Sequence, residues 1–193
     1  MGGCPCTNHY GHFLLNGMLF DRIAESKGRI LVVASLGYNM GLKTIKFDDM
    51  NWEEGYGANT AYSQSKLAQM MFAYELQDRL AASGCKDVEV YVCHPGSSAT
   101  SLISTSGSRS MTAVFWLMAK TPLVQTAEQG SYPEVMCATE DGLEQRALYG
   151  PTGRMGFVGP VGKGTLNAHA YGKAVMTRLW DESGKAVGFE WQL

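Results

Sequence analysis

Neither sign of charge prevails in this chain: sixteen Lys and Arg stand against eighteen Asp and Glu, for a formal net charge of −2. Without a basic excess there is no electrostatic footprint for a nucleic-acid partner, so none is expected. Also missing is any apolar run of the roughly 18 residues that span a bilayer, so no transmembrane segment is expected. The best candidate, Met111 to Ala119, is about half that length. The five cysteines are odd in number and have no disulfide-scaffold spacing. Because no charged and apolar leader opens the sequence, reduced thiols in a cytoplasmic setting are the expectation. Met1-Gly2 begins like a myristoylation signal, but Cys6 stands where that signal needs Ser or Thr. There is no internal repeat and no low-complexity tail. What is present is ordinary for a folded chain: 193 residues, 45% of them hydrophobic, enough for one domain with a buried core.

The pattern alternates helix and strand. Asn8 to Glu25 carries Phe13, Leu14, Met18 and Phe20 close to a helical period, and Lys27-Gly28 stops it. Arg29 to Ser35 (RILVVAS) is a continuous aliphatic run, as expected of a strand buried on both faces. Residues 36–58 read as a long loop whose Ile45, Phe47 and Trp52 imply that it packs against the body. Thr60 to Ala82 is helical again and ends at Ser83-Gly84, and Val88 to His94 (VEVYVCH) is the next strand, cut off by Pro95-Gly96. A helix over 126–138, a short strand near 147–149, a Gly/Pro-rich loop over 150–164 and a final helix over about 168–181 complete the reading. Such alternation with short turns predicts parallel α/β units.

The chemistry centres on Tyr62-Ser63-Gln64-Ser65-Lys66. Residues four apart share one helix face, so phenol and ammonium point the same way. A fixed positive charge beside a phenol favours its ionised form and suits it to exchange a proton with an alcohol or carbonyl. By itself this pair is commonplace on solvated helices. Ser35, however, closes one predicted strand and His94-Pro95-Gly96 closes the next. Both therefore fall at the C-terminal rim, where parallel sheets place their sites.

Four segments, TNHYGHFLL (7–15), RILVVAS (29–35), AYSQSKLA (61–68) and VCHPGSSAT (92–100), follow one another in the order and spacing of a known family. With EQG (128–130) and LYG (148–150) they make the chain resemble the short-chain dehydrogenases/reductases, in particular the retinol-dehydrogenase-like branch. The resemblance implies the C-terminal part of a Rossmann-like three-layer α/β/α fold with a parallel sheet, forming one domain over 1–193. It implies an NAD- or NADP-dependent oxidoreductase that interconverts a small-molecule alcohol and a carbonyl by hydride transfer. Carried over by position, Tyr62 is the general acid/base and Ser35 holds the substrate oxygen. Lys66 lowers the tyrosine pKa and, with Tyr62, binds the nicotinamide ribose. Asn8 holds the first helix open and anchors a water in a proton relay, while Pro95, Gly96 and Thr100 face the nicotinamide amide. Residues 100–125 would form a substrate lid, whose apolar character suggests a lipophilic substrate.

One family signature is missing. The glycine-rich turn T-G-x-x-x-G-x-G, which cradles the pyrophosphate at a helix N-terminus, does not occur, nor does the residue that selects NAD or NADP. The reading that follows is of a domain lacking its N-terminal cofactor-binding part. It would have an exposed first-strand edge that favours self-association. The alternative is a truncated or catalytically silent relative that acts through protein contacts. Other patterns carry less. Cys4, Cys6, His9 and His12 offer four zinc-type ligands at a spacing too tight for a structural site, so no metal is expected. Ser63-x-x-Lys66 lacks the later K-T-G of penicillin-recognising enzymes. Gly156 to Gly164 has Gly164 where a P-loop needs Ser or Thr. Met70 and Met71 are expected in the core, and Trp180 and Trp191 as anchors of the terminal segment.

Overall fold

The computed structural model describes residues 6–98 and 124–193. A π-helical turn over Cys6–Tyr10 leads into helix α1, Gly11–Glu25. Strand β1, Arg29–Val33, follows, then two 3-10 turns, Leu36–Asn39 and Phe47–Asp49. Helix α2, Ala58–Ser83, stops at Gly84, whose φ of 75° is the left-handed cap that glycine supplies without strain. Strand β2 is Glu89–Cys93, helix α3 is Ala127–Thr139, and β3 and β4 are Leu148–Gly153 and Val158–Lys163. Helix α4 is Lys173–Val187.

The four strands lie in the order β1-β2-β3-β4. β1 and β2 run parallel with Val33 opposite Cys93, and β2 and β3 run parallel with Cys93 opposite Tyr149. That register brings the ends of β1 and β2 together, so Ser35 and His94 emerge on one rim. The predicted parallel α/β arrangement holds for these three strands. β4 corrects the reading of 150–164 as a loop: it returns antiparallel to β3 through a turn at Arg154, Met155 and Gly156, all at positive φ. Gly159 and Pro160 hid it, because Pro cannot donate in a ladder; only an edge strand, which β4 is among the described residues, accommodates it. The last helix also begins later than the expected 168, since Ala168–Ala170 forms a 3-10 turn and α4 starts only after Gly172.

Helices α1, α2 and α4 cover one face of the sheet and α3 the other. On the first face Phe13, Phe72, Trp180 and Trp191 form one aromatic cluster, with Phe13 and Trp180 centroids 5.0 Å apart and Phe72 stacked on Trp180 at 5.8 Å. Met70 and Met71 are buried there, and Trp191 ties the terminal segment to α1 through Phe13 and Phe20. On the second face Tyr91, Cys93 and Tyr149 pack with Cys137 of α3. Arg29 reaches across to the carbonyl of Glu140 (2.7 Å) and to Asp141 (2.6 Å), placing a cation at the C-terminus of α3 where the helix dipole favours it. A Thr126–Gln129 capping box closes the other end of that helix. Among the described residues, no helix is long and apolar enough to cross a membrane.

His9 lies inside the aromatic cluster. Ser183 donates its one proton to the Leu179 carbonyl (2.6 Å), so His9 must donate Nε2–H to the Ser183 oxygen at 2.7 Å. Burial, helped by nearby His12, pushes the His9 pKa down to about 3. The unfolded chain therefore binds this proton from about pH 6.5 downward while the folded chain does not, and stability falls as pH drops through that window. Between pH 7 and pH 5 His9 alone should cost about 2 kcal/mol. The urea midpoint is expected to be lower at pH 5 than at pH 7, and His9→Gln is expected to shrink that difference.

Candidate active site

Helix α2 carries the central residues, and the three between Tyr62 and Lys66 are all buried. Ser63 Oγ shares its one proton between the carbonyls of Gly37 (2.7 Å) and Met40. Gln64 accepts from the Lys46 N–H at 2.9 Å and donates to the Met50 carbonyl at 3.3 Å. These bonds strap the 36–58 segment onto α2, and Ile45 and Trp52 are buried beneath it. Ser65 Oγ donates to the carbonyl of Tyr62 (2.8 Å) and accepts from Asn8 Nδ2 (3.0 Å). Asn8 thus acts on Tyr62 through Ser65, from within the π-helical turn that widens the chain before α1.

Tyr62 and Ser35 meet at Gly37. A Cβ placed on Gly37 would lie 3.1 Å from Tyr62 Cε1 and 3.3 Å from Ser35 Oγ, so both side chains pack closely against this glycine. Ser35 Oγ accepts the Gly37 N–H at 3.1 Å and keeps its own O–H to donate. The Lys66 ammonium sits 5.9 Å from the Tyr62 ring centroid and donates to the Val33 carbonyl at 2.9 Å. Burial pushes its pKa below the usual lysine range, opposed by neighbouring Cys93. His12, one turn from Asn8 on α1, meets Gln69 of α2 through Nδ1 at 3.2 Å. Its pKa is lowered first by burial and then by the charge of Lys66.

The Pro95-Gly96 turn lies beside this group on the same rim. Gly96 has a φ of 66°, and a Cβ there would strike the Phe157 carbonyl oxygen at 2.4 Å. Gln125 fixes the turn, donating from its side chain to the Pro95 carbonyl (2.7 Å) and from its backbone to Ser97 (2.9 Å). Thr100, and residues 100–123 of the expected lid, lie outside the described residues. Asn8, Ser35, Tyr62 and Lys66 therefore converge, and Pro95 and Gly96 adjoin them. The sequence reading missed Gly37, Ser65 and Gln125. Ser65 carried a usable signal, its place within the Tyr62-Ser63-Gln64-Ser65-Lys66 run, whereas Gln125 carried none. Of the zinc-type pattern, His9 and His12 are spent on Ser183 and Gln69.

No protein-family model matches the chain. Human retinol dehydrogenase 13 is 35% identical over 200 residues, covering 95% of this chain and 53% of its own length. Human retinol dehydrogenase 12 is 32% identical over 188 residues, covering 96% and 54%. The chain spans about half the length of the curated relatives it matches. Among solved structures, an uncharacterized protein of Mycobacterium paratuberculosis superimposes with a TM-score of 0.74 at 28% identity, over 97% of this chain and 59% of that one. The likeness to retinol dehydrogenases thus runs along nearly all of the sequence.

Gly150 of β3 is the neighbour on which the rim depends most tightly. A Cβ there would fall 2.2 Å from His94 Nε2. Gly150→Ala is expected to destabilise the protein by about 1–3 kcal/mol through overpacking, read as a lower urea midpoint with unchanged slope. An unshifted midpoint would show that the imidazole yields freely.

Proposed function

We propose that this chain, similar to the retinol-dehydrogenase branch of the short-chain dehydrogenases/reductases, is an oxidoreductase that interconverts an alcohol and a carbonyl. The observation that carries this reading is the meeting of the Tyr62 ring and the Ser35 hydroxyl against Gly37, with the Lys66 ammonium 5.9 Å from the centre of that ring. In the reductive direction Tyr62 gives its phenolic proton to the substrate oxygen, and in the oxidative direction it takes that proton back. Ser35, with its oxygen already accepting from Gly37, donates its own O–H to the same substrate oxygen and holds it in place. Asn8 and Ser65 keep the Tyr62 backbone fixed while the proton moves.

The residues fit one end of a nicotinamide cofactor. Lys66 spends one N–H on Val33 and has two left for ribose hydroxyls, with the Pro95-Gly96 turn next to it. The pyrophosphate end finds no T-G-x-x-x-G-x-G turn in these 193 residues. When bound, NAD or NADP supplies or accepts the hydride. Titrating the chain with NADH and NADPH and following nucleotide fluorescence tests the reading, with a saturable complex expected. No complex with either nucleotide overturns it for this chain. In a preparation that turns over, Tyr62→Phe is expected to lower kcat about 100- to 10,000-fold without shifting the urea midpoint.

A second reading is favoured by the open side of the sheet. β1 has no strand partner on its outer side among the described residues, Val33 is 37% exposed, and Leu15, Met18 and Leu19 of α1, the helix that precedes β1, are exposed as well. On this reading the chain associates with itself through that side. Sedimentation equilibrium is then expected to give a mass that rises with concentration, and Met18→Lys to suppress the rise. A constant monomer mass removes this reading.

A further inference from the structure

Beyond Gly37, toward β3, the rim holds a recess of about 380 Å³. Its wall includes Leu36 and Asn39, which follow Ser35, then His94, Pro151, Lys163 and Asn167. The size is that of a small-molecule site, yet its polar groups are unusual in being neutral and fixed. His94 is 2% exposed. Its Nδ1 accepts the Gly96 N–H at 3.1 Å, which places the ring proton on Nε2. Burial pushes its pKa down to about 4, so the ring is a neutral donor at pH 7. Nε2–H finds no partner among the described residues, and Gly150 leaves it the room it occupies.

The opposite wall is equally prepared. Asn167 gives its two amide protons to the Tyr38 hydroxyl (3.0 Å) and to Asn39 Oδ1 (2.9 Å). Both amide groups are thereby oriented, leaving Asn39 Nδ2 as a donor and Asn167 Oδ1 as an acceptor without partners among the described residues. Tyr38 is fully buried and pins this pair to the core. Lys163 brings the one cation, but it is bridged to Glu144. The side chains of His94, Asn39 and Asn167 therefore offer the recess two neutral donors and one acceptor, beside the hydroxyls of Thr152 and Thr165, and its one cation, Lys163, is already bridged. A carboxylate or phosphate would find no uncompensated cation among these groups, and a hydrocarbon would leave the donors unsatisfied at the cost of their desolvation.

We propose that this recess binds a neutral oxygen-bearing group, a hydroxyl or a carbonyl, which accepts from His94 Nε2–H. A hydroxyl can in addition donate to Asn167 Oδ1. The recess begins one residue after Ser35, so it accommodates an oxygen remote from the reacting carbon of the same substrate. This last assignment rests on the oxidoreductase reading, whereas the binding itself does not. It gives the substrate a polar end, in contrast to the lipophilic substrate suggested by residues 100–125.

The binding is tested on the chain alone, without nucleotide, by NMR of the His94 ring nitrogens and the Asn39 and Asn167 side-chain amides. The probes are 1,3-propanediol, propionate and benzene. Saturable shifts of these signals are expected with the diol, and weaker responses with the other two. Asn39→Leu, which removes one donor from a half-buried position together with the Oδ1 that orients Asn167, is expected to weaken diol binding about five- to tenfold. His94→Phe should weaken it at least as much if it folds, and Asn39→Leu decides the matter if it does not. No saturable shift with the diol, an equal or stronger response to propionate or benzene, or unchanged diol binding in Asn39→Leu overturns the proposal. Because no cofactor is present, failure to bind NADH or NADPH leaves this result standing.

Discussion

A helix buried on nearly every side must satisfy its own polar side chains through its neighbours, and α2 is such a helix. Ser63, Gln64, Ser65, Gln69, Glu75 and Gln77 are all buried. An unpaired group at any of these positions would cost about 1–3 kcal/mol. Their bonds reach the loop after β1, the strap at Lys46 and Met50, the turn before α1, helix α1, helix α4 and strand β2 in succession. Glu75 alone receives Arg79, Lys173 and the Thr177 hydroxyl, which seats α4. Among these side chains Gln69 Oε1 alone is left without a partner in the described residues, while Tyr62 and Lys66 occupy two of the less buried places on this helix.

The spacing Y-S-Q-S-K therefore has two parts with different jobs. Tyr62 and Lys66 face the rim. The three residues between them hold the surroundings in position, one for the Gly37 loop, one for the 46–50 strap and one for Asn8. The division is set by the partners that each side chain finds rather than by the helical period alone, since Ser65 lies only three residues from Tyr62 and bonds its carbonyl. A serine at position 63 or 65 is accordingly as much a part of the rim's geometry as Tyr62 and Ser35.

Much of this could be seen in the sequence. The aliphatic run 29–35 and the VEVYVCH segment could be read as strands from their β-branched residues, but only β2 is buried on both faces; β1 buries Ile30 and Val32 and leaves Leu31 half-buried and Val33 exposed, since its other face is only partly covered. Phenol and ammonium could be placed on one helix face by counting alone. Other features were hidden by composition. The strand at Val158–Lys163 carries Gly159, Pro160 and Gly162, residues that local propensity assigns to turns, and it exists because β3 offers a free edge. Likewise no local pattern marks Gln125, whose bonds to Pro95 and Ser97 join residues 28 to 30 positions apart. The role of Gly150 depends on a ring that arrives from a different strand.

The fourth strand makes the two edges of the sheet unlike. Pro160 removes one backbone N–H from β4, whereas the glycines beside it keep theirs. β1 keeps an unbroken backbone of non-proline residues from Arg29 to Val33. Of the two outer strands among the described residues, β1 is therefore the one with a full set of backbone donors and acceptors, and Ser35 stands just past its end.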